Sequence, residues 1–423
     1  MPDSSGQPLW WNGLPTAPGR NDPPPATTDV AVIGGGYTGL AAARALARSG
    51  ARVVVLEGES IGWGASGRNG GMVLPGYKTD LPDLVRRLGL ERARRLFEDS
   101  LQAIAFVETL IQDEGIACDW RRAGHVTLAA KPAHQAGLRA TAALLDRDFG
   151  YRTELLGPDR VAEAIGSRRY FGGLLDPLAG AVQPAAYVRG LALAAERAGA
   201  VLAERVPVLS LRRAGDRFLL TTTRGALTAG DVLVATNGYS GRLVPWLARR
   251  LVPVGSFIIA TEPLPADLRQ RLVPRDRMLS DTKNLLYYFR LSTDGRMVFG
   301  GRAAFVPTAV ARSRELLRAG MIEVFPELAG YRIEFAWGGT LGFTLDQMPH
   351  AGRQDGVAFA LGYGGHGVAM ATWLGDQVGR AMAGQGRWPA LSEIPFQPIP
   401  FYRGRPWFLP LAGAYYGLKD RLF

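Results

Sequence analysis

Short apolar runs that break into glycines recur along the chain, separated by stretches of helical or alternating spacing. Val30-Ala31-Val32-Ile33 has the pattern of a buried strand and ends at Gly34-Gly35-Gly36. Leu40 to Arg48 follows as a helix that stops at Gly50, and Arg52 to Leu56 predicts a second strand ending at Glu57. From Leu84 to Ile111 the spacing predicts one helix, with Phe97, Leu101, Ile104, Val107 and Ile111 on its core face. Strand patterns at Cys118–Trp120 and His125–Ala129 precede a helix from about Pro132 to Asp146, and Gln183 to Ala198 predicts another, closed by Gly199. The chain then turns to β, at Val201–Glu204, Val208–Arg212, Phe218–Thr223, Ala226–Ala229 and Asp231–Val234. A second β block spans Val252 to Arg302, and its clearest hairpin pairs Leu285–Leu291 with Arg296–Gly301 across Ser292-Thr293-Asp294-Gly295. Val357–Leu361 is a further strand that breaks into glycines before a helix from Val368 to Ala383.

The first of these units carries chemistry. Strand, Gly34-x-Gly36-x-x-Gly39, helix, strand and Glu57 follow in the order of a dinucleotide site. Gly34 permits the tight turn, Gly36 lets a pyrophosphate approach the backbone, and Gly39 lets helix and strand pack closely. The helix start offers free N–H groups and a positive dipole end to phosphates, and Tyr37 and Thr38, between the glycines, are candidate cofactor-binding residues. Glu57 stands where a carboxylate accepts hydrogen bonds from a ribose. The glycine-rich loop Ile61 to Met72 comes next, too rich in glycine to be an element interior. Strand ends broken by glycine recur at Gly34, Gly67, Gly238 and Gly362, as though one ligand were gripped by segments from across the chain. The block from Val252 to Arg302 interrupts those segments, so a second domain is inserted in pieces.

The expected fold class is therefore α/β: a Rossmann-like dinucleotide domain with a discontinuous, β-sheet-rich substrate domain. Its expected division is a leader over 1–26; a cofactor domain over 27–112, 184–243 and 336–386; a substrate domain over 113–183 and 244–335; and a tail over 387–423. The leader is rich in proline, with Trp10 and Trp11 placed to pin it to the body.

Composition narrows the classes. With 423 residues, 47% hydrophobic, the chain has the material for two or three domains. Net charge is +11, but the arginines are scattered and no zinc-finger or RNA-binding spacing accompanies them, so no nucleic-acid partner is expected. Cys118 is the single cysteine, which excludes an internal disulfide, and His125, His134 and His350 show no ligand spacing, so no metal is expected. No apolar run is long enough to span a membrane and no secretory signal is visible, which points to a cytoplasmic enzyme. The tail from Pro398 to Pro410 is apolar and aromatic with interspersed arginines; it reads as a segment packed on the body or a second subunit rather than as a membrane-surface anchor.

Four motifs give the chain a resemblance to flavoproteins of the D-amino-acid oxidase (glycine/sarcosine oxidase) superfamily, most of all to amine oxidases of the γ-glutamylputrescine oxidoreductase type. They are Gly34–Gly39 with Glu57; Gly62-Trp63-Gly64-Ala65-Ser66-Gly67-Arg68-Asn69-Gly70-Gly71; Ala235-Thr236-Asn237-Gly238-Tyr239; and Trp337-Gly338-Gly339 with Gly364-Gly365-His366-Gly367-Val368. The resemblance implies FAD. Its pyrophosphate would lie at Gly34 to Gly39 and its ribose at Glu57, while Ser66, Gly67, Arg68, Asn69, Gly70 and Gly71 would line the flavin ring. Val208 would offer its backbone to the adenine, Ala235, Thr236 and Gly342 would complete the site, and Gly364 to Val368 would place N–H groups at the pyrimidine end. The cofactor would be non-covalent, since Cys118 lies outside every motif and no histidine precedes the Ser66 loop.

In amino-acid oxidases of this superfamily an arginine before an Asp-x-x-Pro-x-x-Gly segment holds the substrate carboxylate. Here the segment is Asp346 to Gly352, and the arginine's place holds Leu341. That departure favours amines over α-amino acids. Tyr287 and Tyr288 sit on opposite faces of one strand, so one of the two is expected at the pocket, and Arg290 shares the face of Tyr288. Tyr288, Arg302, Trp337 and His366 are the candidate catalytic residues, with Arg302 equally readable as the partner of a nearby acid and Trp337 as core. The expected reaction is hydride transfer from an amine carbon, with oxygen or another acceptor taking the electrons. Its alternatives are oxidation of D- or cyclic amino acids such as pipecolate, and a flavin-binding subunit without turnover. A homo-oligomer is compatible with this reading.

Overall fold

Two large sheets divide the chain. The computed structural model describes residues 6–15, 20, 22–301 and 310–422. In the first sheet the strand Thr27–Ile33 lies between Gly225–Val234 and Val53–Leu56, all parallel, with Val201–Ala203 outside Val53–Leu56. Val357–Leu361 joins parallel to the far end of Gly225–Val234, and His350–Gln354 closes that edge antiparallel. Val30 to Ile33 and Val53 to Leu56 are buried on both faces, which explains why they read as continuous apolar runs. Ala226–Ala229 and Asp231–Val234, expected as two strands, form one, whose first half also pairs with Arg217–Thr222. A single strand crossing from a hairpin into the parallel sheet has no turn for the sequence to signal.

The second sheet has the order Ile333–Phe343, Val252–Thr261, Met297–Gly301, Tyr287–Leu291, Met278–Asp281, His125–Leu128, Gly173–Asp176 and Glu154–Leu156. The expected hairpin is present, in the register Tyr288↔Gly300. Ile333–Phe343 pairs along its length with Val252–Thr261, so Trp337 to Phe343 belong to this sheet and not to the cofactor segment expected from residue 336 onward. Two other expectations are corrected. The helix over 84–111 is two helices, Leu81–Leu88 and Leu90–Asp113, parted by Gly89 at φ 78°, a left-handed conformation that costs glycine least. Cys118–Trp120 makes no strand; Asp119 at φ 53° turns the chain, and a bridge from Arg121 to Ala181 follows.

Helix Gly367–Met382 lies against the first helix, Tyr37–Arg48, where glycines allow backbone contact. A Cβ at Gly375 would stand 2.3 Å from the Thr38 carbonyl oxygen, and one at Gly379 2.7 Å from that of Ala42. The start of the first helix thus lies against the middle of the Gly367–Met382 helix.

His125 is buried in the second sheet, its Nε2 2.9 Å from Ser280 Oγ, and burial lowers its pKa from 6.5 to about 4. The folded chain keeps the ring neutral, while the unfolded chain protonates it below its ordinary value. Stability from this group is therefore complete above pH 6.5 and is lost as pH falls through about 4. A shift of this size is worth roughly 3 kcal/mol at most. We expect His125→Gln to lose less stability than the parent between pH 7 and pH 4.5, read from urea midpoints; equal losses would show that His125 is not the source.

Candidate functional site

A cavity of about 940 Å³ runs along the ends of the parallel strands. That is the upper part of the usual range for a small-molecule or cofactor site. Ile33, Gly34, Gly36 to Thr38, Leu56 to Glu59, Gly62 to Ser66, Pro207 to Arg212, Ala235 to Asn237, Tyr239 to Leu243, Gly365, Gly367 and Val368 all contribute to its wall. The dispersed glycine breaks converge here, as one ligand would require.

Local chemistry builds the end of the cavity at the first glycine turn. Gly34, at φ 110°, makes the turn, and a Cβ there would press on Ala235 O at 2.9 Å. A Cβ at Gly39 would stand 1.9 Å from Gly34 O, so the helix docks on the strand only because Gly39 has none. The first helix has Gly36 as its cap, without a side chain to satisfy the end; Ser66 Oγ accepts the Tyr37 N–H instead, at 3.0 Å. Glu57 is half-buried, and desolvation raises its pKa, although its two oxygens accept from Gly35 N–H at 2.7 Å and Glu59 N–H at 2.9 Å. A carboxylate has about four acceptor positions, which leaves two open to hydroxyl donors of a ligand.

The glycine-rich loop is tied by Asn69. Its Nδ2 donates to Ala65 O, Ser66 O and Tyr37 Oη, and its Oδ1 accepts from Gly71 N–H at 2.7 Å. Beneath, Thr38 Oγ1 meets Tyr363 Oη at 2.7 Å, joining the starts of both helices. Asn237, at φ 42°, accepts the Gly362 N–H at 3.0 Å and joins two other glycine breaks.

Of the residues expected at the cofactor, Gly34, Gly36, Tyr37, Thr38, Glu57, Ser66, Asn69, Val208, Ala235, Thr236, Gly365, Gly367 and Val368 line the cavity. The others stand behind its wall. Arg68 donates through Nε to Trp63 O and through Nη1 to Gly6 O and Gly338 O, which turns its side chain into a brace between loop, leader and second sheet. Burial lowers its pKa. Gly67 is pressed against Gly62 O and Trp11, Gly70 against the Tyr288 ring, and Gly71 against Val182 O and Arg290. Gly342 accepts the Gly364 N–H at 3.0 Å.

The catalytic candidates are placed less directly. Tyr288 Oη lies 3.1 Å from Ser256 Oγ, under Gly70, while Tyr287 packs on Phe299 on the opposite face. Trp337 is fully buried and donates through Nε1 to Arg68 O at 2.8 Å; it supports the loop and presents no wall to the cavity. His366 caps the Gly367–Met382 helix, between two glycines that line the cavity. Arg302 lies outside the described residues. Arg290 is buried with its Nη2 donating to Val182 O, and burial lowers its pKa to about 9.

Several lining residues had weak or no signals in the sequence. Trp63 and Tyr239 meet edge to face at 5.6 Å, Tyr239 Oη accepts the Thr340 N–H, and Leu341 and Tyr363 complete the apolar end. Trp63 and Tyr239 stand inside the glycine motifs, Tyr363 stands beside one, and Leu341 is marked by the arginine it replaces, but nothing in the sequence signals that the four share one cavity. The cavity is flanked by the leader as well: Trp10 Nε1 donates to Asn69 O at 2.8 Å, and its ring lies edge-on to Trp337 at 6.0 Å. We expect Trp10→Ala to destabilise the fold by about 3–5 kcal/mol and to weaken FAD retention. Denaturant midpoints with and without added FAD check this, and a midpoint equal to the parent's would remove the leader from the site.

Comparison with known proteins agrees with this geometry. The family model for FAD dependent oxidoreductases matches residues 29–381. A gamma-glutamylputrescine oxidoreductase from Escherichia coli is 34% identical over 400 residues, covering 94% of this chain and 93% of the relative. A probable oxidoreductase, OrdL, from Haemophilus influenzae is 35% identical over 371 residues, covering 85% of each. Among solved structures, glycine oxidase from Geobacillus kaustophilus superposes with a TM-score of 0.72 at 22% identity, over 90% of this chain and 99% of that one, a likeness of fold.

Proposed function

This chain belongs to the family of FAD dependent oxidoreductases, and from that premise we propose that it oxidises a primary or secondary amine to an imine, which water hydrolyses to an aldehyde or ketone. Bound FAD supplies the two-electron acceptor for a hydride leaving the carbon next to nitrogen. The residues fit that group: Gly34, Gly36 and the start of the first helix would hold its pyrophosphate, and Glu57 its ribose. Ser66, Asn69 and the start of the Gly367–Met382 helix would hold its other end. Binding would be non-covalent, because Cys118 is buried in the core and no cysteine or histidine lines the cavity among the described residues.

The single observation that carries the substrate class is Leu341. It lines the cavity at the position where the resemblance places a carboxylate-binding arginine. Trp63, Tyr239, Leu341 and Tyr363 make that end apolar, which disfavours a charged ammonium and delivers the neutral amine whose lone pair assists loss of hydride. No strong base is needed there. The gamma-glutamylputrescine oxidoreductase relative supports an amine, and oxygen is the proposed acceptor, giving hydrogen peroxide.

Anaerobic absorbance titration tests the reading against putrescine, γ-glutamylputrescine, sarcosine, L-pipecolate and several D-amino acids. Amines alone should bleach the flavin, and admitted air should restore it. Bleaching by amino acids alone would overturn the inference from Leu341, and no bleaching by any of them would favour a flavin-binding subunit without turnover. Colour that returns only with an added dye would replace oxygen by another acceptor.

A further inference from the structure

We infer that the C-terminal segment is a docking surface for an anionic lipid bilayer. Its helix, Leu409–Leu422, is inverted relative to an ordinary surface helix. The outward face holds Leu411, Tyr415 and Leu418, exposed by 68%, 62% and 56%, at a spacing of four and then three residues, together with Pro410 and Ala414. The polar residue turns inward: Asp420 accepts from Asn284 N–H at 2.8 Å, Asn284 Nδ2 at 2.7 Å and Leu285 N–H at 2.8 Å. Those bonds, with Leu409 and Tyr402 buried against Val252 and Val254, fix the helix in place with its apolar stripe facing out. Nearby, Phe401 is held at φ 58°, an uncommon conformation for a bulky residue, with its side chain 92% exposed, and Trp407 is 63% exposed. Five large apolar side chains on one short segment exceed the scattered exposure normal for a protein surface.

Charge selects the occupant. Arg403, Arg405 and Lys419 are exposed beside the stripe, and from Ile394 onward the one acid is Asp420, already bonded inward. A second copy seated on this face would bring those cations against their own equivalents with no carboxylate between them. An anionic lipid surface complements them, while tryptophan, tyrosine and phenylalanine suit the interfacial layer. The helix would lie in the surface, since no described helix is long and apolar enough to cross a membrane. The inner face of the segment packs against the body, as the sequence suggests, while the role inferred for its outer face departs from the sequence expectation, which favoured packing over a membrane-surface anchor.

The test uses the full, FAD-loaded chain in sedimentation with phosphatidylglycerol–phosphatidylcholine vesicles and with phosphatidylcholine alone. Three basic residues at roughly fivefold each predict binding about a hundredfold tighter to the anionic vesicles, weakened by salt. Leu411→Glu with Tyr415→Glu and Leu418→Glu should leave the flavin spectrum unchanged and abolish pelleting. Arg403→Gln with Arg405→Gln and Lys419→Gln should remove the preference for anionic lipid. A parent chain that stays in the supernatant at low salt overturns the inference, as does a triple-glutamate variant that pellets like the parent. A dimer of the parent that the triple-glutamate variant turns into a monomer would assign the face to a second copy instead.

Discussion

Gly39→Ala is expected to yield protein that no longer retains FAD. The new methyl carbon would lie 1.9 Å from Gly34 O and 3.1 Å from a Val32 side-chain methyl. Both the oxygen and the methyl belong to the strand–turn unit, and no flexible side-chain tip is available to swing aside. The first helix must then lift from the sheet, and its N-terminus leaves the phosphate position. Overpacking of this kind costs at least about 1–3 kcal/mol, and here it also displaces the binding turn, so FAD affinity should fall by roughly a hundredfold or more. Titration of apoprotein with FAD, followed by flavin fluorescence, measures the loss. Gly35→Ala is the comparison: its Cβ would meet the far end of Ile61 at 2.5 Å, a tip that can move, and Glu57 Cβ and Oε2 at 3.1 and 3.2 Å, which need give by only a few tenths of an ångström, so a smaller loss is expected. Gly39→Ala that purifies with a full flavin spectrum would falsify the assignment of this turn.

Leu341→Arg should lower kcat/KM for the best amine by about two orders of magnitude. The side chain lines the cavity's apolar end, where a Cβ at Gly365 would come 3.7 Å from Leu341 Cδ1. A guanidinium placed there puts a hydrated charge where the neutral amine must bind, and it repels the ammonium that arrives from water by roughly 3 kcal/mol at about 5 Å and an effective dielectric of 20, before that ammonium has lost its proton. The same charge attracts a carboxylate, so turnover of an α-amino acid should rise or hold while amine turnover falls. Leu341→Met keeps the volume and should stay near the parent rate. Steady-state rates on both substrate classes decide it. An arginine variant with unchanged amine kinetics would separate Leu341 from substrate choice.

Several residues show how far the linear pattern reaches. Gly34, Gly36, Gly39 and Glu57 were legible because their roles are local: a turn, a close helix–strand crossing and a strand end are set by residues a few positions apart. The strands Thr27–Ile33 and Val53–Leu56 and the hairpin around Ser292 to Gly295 were legible for the same reason. Arg68 and Trp337 were not. Their residue types suited a pocket, yet both are spent on backbone carbonyls across long sequence gaps, Arg68 to Gly338 O and Trp337 to Arg68 O. Gly71 likewise looked like flavin lining, and its close neighbours are Val182 and Arg290.

The sequence by itself determined the dinucleotide unit, the two-part α/β plan and the missing arginine at Leu341, because hydrophobic period and glycine breaks are properties of neighbouring residues. Tertiary structure alone decided that Ser66 caps a helix begun 29 positions earlier in the fold's first turn, that Trp10 closes on Asn69, and that Trp63, Tyr239 and Leu341 line one cavity. It also decided which face of the C-terminal helix looks outward, since that depends on where Asp420 finds its donors. The physical reason is the same in each case: a side chain's direction follows from its own backbone, but its partner follows from how distant segments pack.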